Sequence, residues 1–352
     1  MNSALLAATL GAGLVAGIGT GALIPLLRGA AVLDRPNERS LHEAPVPRGG
    51  GIAVIAAIAF AWLGLVLTGR AGPSLLVVLL GALLLARVSW RDDVAGLSPA
   101  LRLAVQAVAV AAALGTAALI GFGALSLTQG WLPQWLDTAV TALLWLWFIN
   151  LFNFMDGIDG LAGSEAATIA LGLAAFAATG VGEEPLLVLL AAPVAAAAIG
   201  FLLWNWPPAR IFLGDVGSVP LGYLLGFLLL SLAWSGYWRI ALILPLYFLA
   251  DATITLGRRL ARGERVWQPH RRHFYQRAVQ RGLSHREVTL RIVAANLVLI
   301  GCGWAAENGW PTAGLAAALL VVAALLASLA GLPGGGAQPI PAATPGSEEP
   351  PR

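Results

Sequence analysis

The sequence predicts an all-α integral membrane protein that crosses the bilayer ten or eleven times, and three observations carry that expectation. Only 11% of the 352 residues are charged and 58% are hydrophobic, where an ordinary soluble domain has about 25% charged residues. Apolar stretches close to spanning length recur from one end of the chain to the other. The arginines between them fall on alternate connections, the pattern that loops on one side of a membrane leave in a sequence.

Taken in order, the first apolar run, Ser3 to Leu27, has no basic residue ahead of it and is long enough to span. A cleaved signal peptide needs a positive leader and a shorter core, so this run is expected to be a retained first span. Ten more follow near 51–69, 74–89, 101–121, 136–152, 164–181, 186–204, 216–234, 239–257, 288–306 and 311–332. Each is near the ~20-residue length of a spanning helix. The joint at Gly69-Arg70-Ala71-Gly72-Pro73 is short, so the second and third spans could be cut differently. Glycine and alanine are frequent within the spans, which permits close helix packing in lipid. Residues 1–332 therefore read as one transmembrane domain, and the Pro-, Gly- and Ala-rich residues 333–352 as a disordered tail.

The net charge is +3, and every basic side chain apart from histidine is arginine. Arg28, Arg35, Arg39 and Arg48 lie in the first connection, and Arg87, Arg91 and Arg102 flank the third. Arg210 is in the seventh, and the ninth holds a cluster from Arg258 to Arg291. The odd connections are thus expected in the cytoplasm and the N-terminus outside. Basic segments without interleaved aromatics make nucleic acid an unexpected partner, and membrane lipids the expected surroundings. The single Cys302 excludes an intramolecular disulfide.

Four polar constellations fall on that same face, which a random scatter would not do. Asp92-Asp93 stands before Leu97-Ser98-Pro99 and Arg102. Adjacent carboxylates in a nearly charge-free protein want a cation, so one could bind a metal or act as base while the other orients it. A solvated turn is the plain alternative. Asn153, Asp156 and Asp159, three residues apart, would share one face of a continued helix, with Gly157, Gly160 and Gly163 allowing close backbone approach. The order of residues is not that of an EF-hand. Asp215 stands between Gly214 and Gly217 where a span opens, so free amides there would attract a phosphate that Asp215 repels. A bridging cation such as Mg²⁺ reconciles the two; a simple helix cap is the alternative. In His270-Arg271-Arg272-His273, arginine forks suit phosphate oxygens, although anionic lipid headgroups would suit them too. The first connection, Asp34 to Gly51, is polar and proline-bound, and its Arg48 suits a phosphate at the bilayer surface. Asp251 lies within the ninth span, where a carboxylate is costly; it serves function or pairs with Arg258.

Taken together, Asp92-Asp93, Asn153-x-x-Asp156-Gly-x-Asp159-Gly, Phe212-Leu-Gly-Asp215-x-Gly-Ser218 and His270-x-x-His273 resemble the motifs of the polyprenyl-phosphate N-acetylhexosamine-1-phosphate transferases, glycosyltransferase family 4. They stand in that family's order over nearly the whole chain to about residue 330. The resemblance implies that undecaprenyl phosphate attacks the β-phosphate of a UDP-N-acetylhexosamine and releases UMP. It implies a Mg²⁺ cofactor, for which Mn²⁺ could substitute, with Asp215, Asp93 and Asn153 as its ligands. It further implies catalytic roles for Asp92, Asp93, Asp156 and Asp159. Asn205 and Phe212 are similar to residues that cradle uracil; His270, Arg271, Arg272 and His273 to a donor-binding loop. Arg48 and Arg102 are expected on the substrates' phosphates.

Within the family, the phospho-MurNAc-pentapeptide translocase branch carries a lysine shortly after its acidic pair and a triple-histidine run. Here Gly96 and His-Arg-Arg-His stand in those places. The Pro-Asn-x-Arg-Ser-x-His first loop and the His-x-x-His-x-Tyr-Gln-Arg ending look instead like the O-antigen-initiating branch, leaving the translocase as the alternative. The rival outside catalysis is a membrane transporter, whose ionisable residues would lie midway across several spans. The sequence names neither the amino sugar nor the oligomeric state; a homodimer is compatible with it.

Overall fold

A computed structural model describes residues 3–34, 45–119, 126–179, 185–265 and 270–331. The expected tail, 333–352, lies outside them. Thirteen helices run through the described residues: α1 (Ser3–Gly29), α2 (Gly51–Leu67), α3 (Leu75–Ala95), α4 (Pro99–Leu119), α5 (Gln134–Phe154), α6 (Leu161–Ala178) and α7 (Pro185–Asn205). They continue with α8 (Asp215–Trp234), α9 (Trp238–Ile243), α10 (Leu246–Ala261), α11 (Phe274–Gln280), α12 (His285–Glu307) and α13 (Pro311–Ala330). The first connection carries two antiparallel two-residue strands, β1 (Leu33–Asp34) and β2 (Val46–Pro47), with Leu33 opposite Pro47.

Eight helices are long and apolar enough to cross a membrane: α1, α4, α5, α6, α7, α8, α12 and α13. The apolar α2 is a little shorter, and α3 carries Arg87, Arg91, Asp92 and Asp93 in its second half. The chain is a multi-pass membrane protein. Its centre is α8, buried on nearly every side, with α6 next to it; α1 and α13 are largely open. The open faces display Leu10, Leu14 and Ile18 of α1 and Leu319 and Leu320 of α13, as helices facing lipid tails do. Glycines let helices touch: a Cβ on Gly200 of α7 would lie 2.4 Å from the Gly13 carbonyl oxygen of α1. Exposed Trp131, Trp135 and Trp310 gather where α5 and α13 begin, the place of an interfacial aromatic belt.

Ten of the eleven expected spans are single helices, and the short joint before Pro73 does separate α2 from α3. The stretch 239–257 differs. It is two helices, α9 and α10, divided at Leu244-Pro245, because proline has no N–H to continue the ladder. The short α11 within the basic connection was not expected either.

Candidate active site

The backbone joins the first connection to the start of α8. Phe212 N donates to Pro47 O (2.8 Å), Gly49 N and Gly50 N donate to Phe212 O (3.1 and 2.9 Å), and Gly51 N donates to Leu213 O (2.9 Å). Glycine is required at this seam, since a Cβ on Gly51 would lie 2.1 Å from Gly217 Cα. The helices α2 and α8 therefore start in backbone contact. The seam fixes Arg48 at the mouth of α8, with its Nη2 2.7 Å from Asp215 Oδ1 and 2.7 Å from Asp93 Oδ1.

Asp93 arrives from the last turn of α3 with its side chain only 1% exposed. It accepts from the amides of Asp215 (3.4 Å) and Val216 (3.2 Å). Gly214, at the cap position, has no side chain to do this, so Asp93 caps α8 from another helix. This corrects the expectation of free amides beside Asp215: these two are taken by Asp93. Adjacent residues on a helix point to different faces, and Asp92 turns away. Its Oδ1 accepts from Leu97 N (2.6 Å) and its Oδ2 lies 2.8 Å from Arg102 Nη1. Arg102 Nη1 in turn lies 3.9 Å from Asp215 Oδ2. Asp92 thus closes the α3–α4 turn and aims Arg102, while Asp93 faces the cluster.

The expected alignment of Asn153, Asp156 and Asp159 on one helical face does not occur. Helix α5 stops at Phe154, and Gly160, with φ +76°, starts α6 in a new direction. Gly157 presses against Tyr275, whose hydroxyl a Cβ there would meet at 2.2 Å. Asn153 Oδ1 accepts from Ser218 Oγ (2.6 Å), binding the end of α5 to the start of α8. Asp156 stays at the cluster, and no side-chain hydrogen bond or ion pair reaches its carboxylate among the described residues. Burial pushes that carboxyl up to about 7, with Asp215 and Asp93 adding to the rise and Arg48 opposing it. Asp159 instead holds the rim. Its Oδ2 accepts from Ala209 N (2.9 Å), its Oδ1 lies 3.3 Å from His285 Nδ1, and its carbonyl accepts from Thr289 Oγ1 (3.0 Å). Buried Asn205 donates to Ile211 O and accepts from Gly160 N, both at 2.9 Å. These polar atoms are committed to loop contacts, as is the backbone of Phe212, a residue only partly buried.

The histidine loop docks on the same end. Asp251 accepts from the amides of Phe274 (3.1 Å) and Tyr275 (3.3 Å), lies 3.0 Å from His273 Nδ1, and takes the hydroxyls of Tyr247 and Thr255. Asp251 thus caps α11 from α10. The expected pairing with Arg258 is not formed, for that guanidinium lies over the Phe274 ring at 5.0 Å. Tyr275 Oη donates to Phe154 O (3.2 Å), setting His273, stacked on Tyr275, beside the Asp156 turn. His270 lies 4.9 Å from the His273 ring. Burial, then His273 and the arginines nearby, lower its pKa to about 4, so it is neutral near pH 7. Arg272 pairs with Glu264, which also takes Arg259.

Arg48, Asp93, Asp156 and Asp215 therefore converge, with Arg102 at their edge and the His270–His273 loop flanking them. Sequence reasoning missed His285, Ser218, Tyr275 and Glu264. Only the Gly-Ser that follows Asp215 and the Tyr-Gln-Arg after His273 were visible signals. Among the described residues no three His, Cys, Asp or Glu side chains converge tightly enough to hold a metal ion by themselves.

The sequence model of Glycosyl transferase family 4 matches residues 75–233, the stretch that holds Asp93, Asp156 and Asp215. The chain is similar to an undecaprenyl-phosphate alpha-N-acetylglucosaminyl 1-phosphate transferase of Salmonella typhi, 30% identical over 78% of this chain and 77% of that one. A probable undecaprenyl-phosphate N-acetylglucosaminyl 1-phosphate transferase of Bacillus subtilis is 27% identical over 77% of each chain. A phospho-N-acetylmuramoyl-pentapeptide-transferase of a Mycobacterium is 31% identical over 76% of this chain and 86% of its own.

Proposed function

The chain belongs to glycosyltransferase family 4, the polyprenyl-phosphate N-acetylhexosamine-1-phosphate transferases, and from that premise we propose that it moves N-acetylhexosamine-1-phosphate from a UDP-sugar to undecaprenyl phosphate with release of UMP. The observation that carries this reading is the convergence of Asp93, Asp156 and Asp215 around one guanidinium at one end of a membrane bundle. Both substrates bring phosphate, so the site needs positive charge to draw two anions together and carboxylates to hold it there.

The donor set suits Mg²⁺. It consists of hard carboxylate oxygens already gathered about a cation, and Mg²⁺ is commonly held by one or two carboxylates, with water and substrate phosphates completing its shell. Asp215 and Asp93 would hold it, while Asn153 ties the end of α5 to the first turn of α8 through Ser218. When bound, the ion would neutralise charge on the departing UMP. The lipid phosphate is already a competent nucleophile near neutral pH, its second pKa being about 6. Asp156, with its carboxyl near 7, is matched to take the remaining proton. Arg102, aimed by Asp92, and the His270–Arg271–Arg272–His273 loop lie where they can meet donor phosphate and sugar. Asp159, Asn205 and the backbone of Phe212 keep the rim in shape for the nucleotide.

The arginine-rich connections support a cytoplasmic position for this end, at a bacterial inner membrane. The first-loop and histidine-loop patterns, with the similar Salmonella transferase, support an initiating role in a lipid-linked envelope glycan such as an O-antigen. The test is incubation of the purified chain with undecaprenyl phosphate and a panel of UDP-sugars, with UMP and the lipid product identified. Release of UMP with UDP-N-acetylglucosamine is the expected result. Turnover with only the pentapeptide-bearing UDP-N-acetylmuramic acid would move the chain to the translocase branch.

A further inference from the structure

One side chain is placed in a way that the proposed reaction does not require. A phosphate-binding arginine would be expected to face outward. Arg48 instead puts a single nitrogen, Nη2, 2.7 Å from both Asp93 Oδ1 and Asp215 Oδ1. Those are the oxygens that suit a divalent ion.

The position is built. The backbone of Arg48 is held by Val32 O, which accepts its N–H (3.2 Å), and by a parallel bridge to Phe212. Its stem lies against Gly214, where a Cβ would meet Arg48 Cγ and Asp93 Oδ2, each at 3.1 Å. A side chain at 214 would close the slot. The Arg48 side chain is not sealed in, for it is 32% exposed where that of Asp93 is 1%. A fixed root and a part-exposed side chain allow the guanidinium to swing out without disturbing the seam.

We propose that Arg48 is a place-holding cation: it joins Asp93 to Asp215 in the metal-free site and gives up its position when a divalent ion enters. This rests on the reading of Asp93 and Asp215 as metal ligands. A guanidinium and a divalent ion cannot share the same two carboxylate oxygens, because like charges at that distance repel strongly in a partly buried site. The displaced head, rooted beside the site, then becomes free for the nearest incoming anion, a diphosphate. One side chain would thereby keep the carboxylates together before loading and link metal entry to donor entry.

The experiment is Mn²⁺ titration by electron paramagnetic resonance on the purified full chain without nucleotide, comparing wild type, Arg48→Gln, Arg48→Met and Asp215→Asn. Arg48→Met keeps an apolar stem beside Gly214, so it guards against a folding defect in Arg48→Gln. Removing the competing charge should tighten Mn²⁺ binding by about tenfold in both variants, allowing for the screening of a part-exposed group. In EDTA both should melt below wild type, and Mg²⁺ should restore them. With UDP present, the gain in Mn²⁺ affinity should shrink, since Arg48 now serves the diphosphate. Equal or weaker Mn²⁺ binding in both Arg48 variants, while Asp215→Asn abolishes it, overturns the place-holder and leaves the metal site standing. Mn²⁺ binding indifferent to Asp215→Asn overturns the metal reading and this inference with it.

Discussion

The two ends of the bundle use carboxylates in opposite ways. At the end where α5 begins, Asp137 accepts from Thr128 Oγ1 (2.6 Å), Thr128 N (2.8 Å), Leu127 N (2.9 Å) and Ser126 Oγ (3.3 Å). Glu307 there takes the amides of Arg239 and Ile240 and the Arg239 guanidinium. Each of these two acids is satisfied by its neighbours and holds a loop or a helix start in place. At the other end, Asp93 and Asp215 share Arg48, and the carboxylate of Asp156 takes no hydrogen bond or ion pair from the described residues. An acid whose oxygens are all answered locally is structural; acids that outnumber their cations are arranged for something still to arrive. The comparison separates anchor from site where composition alone treats all five alike.

The largest expected effect breaks the comparison most directly. Asp215→Asn keeps size and one oxygen but removes the charge. UMP release should fall by at least about 10²-fold, the usual loss for an element that stabilises transition-state charge, with little change in melting temperature. Asp137→Ala should do the reverse. Four donors lose their acceptor, which costs about 1–3 kcal/mol where such groups are buried, and turnover per folded molecule should hold. Equal losses of activity in the two variants, at equal melting temperature, would dissolve the distinction between the ends.

A smaller effect sharpens it. The folded value of the Asp156 carboxyl, about 7, lies above its ordinary 3.8, so the folded chain binds that proton more tightly than the unfolded chain does. Stability from this group is fully present below the unfolded value and is lost as pH rises through the folded one. In metal-free buffer, wild-type melting temperature should therefore decline from about pH 4 to about pH 7 more than that of Asp156→Asn. Turnover should rise through the same upper value in wild type and lose that limb in the variant. A wild-type melting profile parallel to that of Asp156→Asn would mean that Asp156 is answered by a partner after all.

How much of this was legible in the sequence follows from what each feature depends on. The spans were legible because burial in lipid needs only apolar length. The division at Pro245 was not, because apolarity runs through 239–257 unbroken and only the missing N–H interrupts the helix. The gathering of Arg48, Asp93, Asp156 and Asp215 at one end was legible from arginines and acids on the same connections. Which of Asp92 and Asp93 looks inward was not, since that depends on the rotation of α3 against α8. The contact of Asp159 with His285 crosses 126 residues of sequence, and no local pattern announces it. For Asp251 the sequence offers function or a pairing with Arg258, and α11, absent from the expected elements, supplies instead the amides it caps.

The smallest expected effect concerns the basic loop, where sequence reading gave Arg271 and Arg272 equal weight toward the donor. The structure shows how Arg272 is held. Arg272 is paired with Glu264, and Glu264 also takes the Nε of Arg259. Much of the Arg272 charge is therefore answered within the loop, in the manner of the anchoring acids at the far end. Its side chain is about half exposed, so solvent screens what remains. Arg272→Gln should raise the apparent KM for the UDP-sugar by no more than about threefold, the scale of an exposed ion pair, and leave kcat unchanged. Glu264→Gln frees Arg272 from its partner and should lower the donor KM of an otherwise wild-type chain. If Arg272→Gln costs much more than threefold in donor KM, or if Glu264→Gln weakens the donor, Arg272 belongs with the unanswered charges of the site rather than with its scaffold.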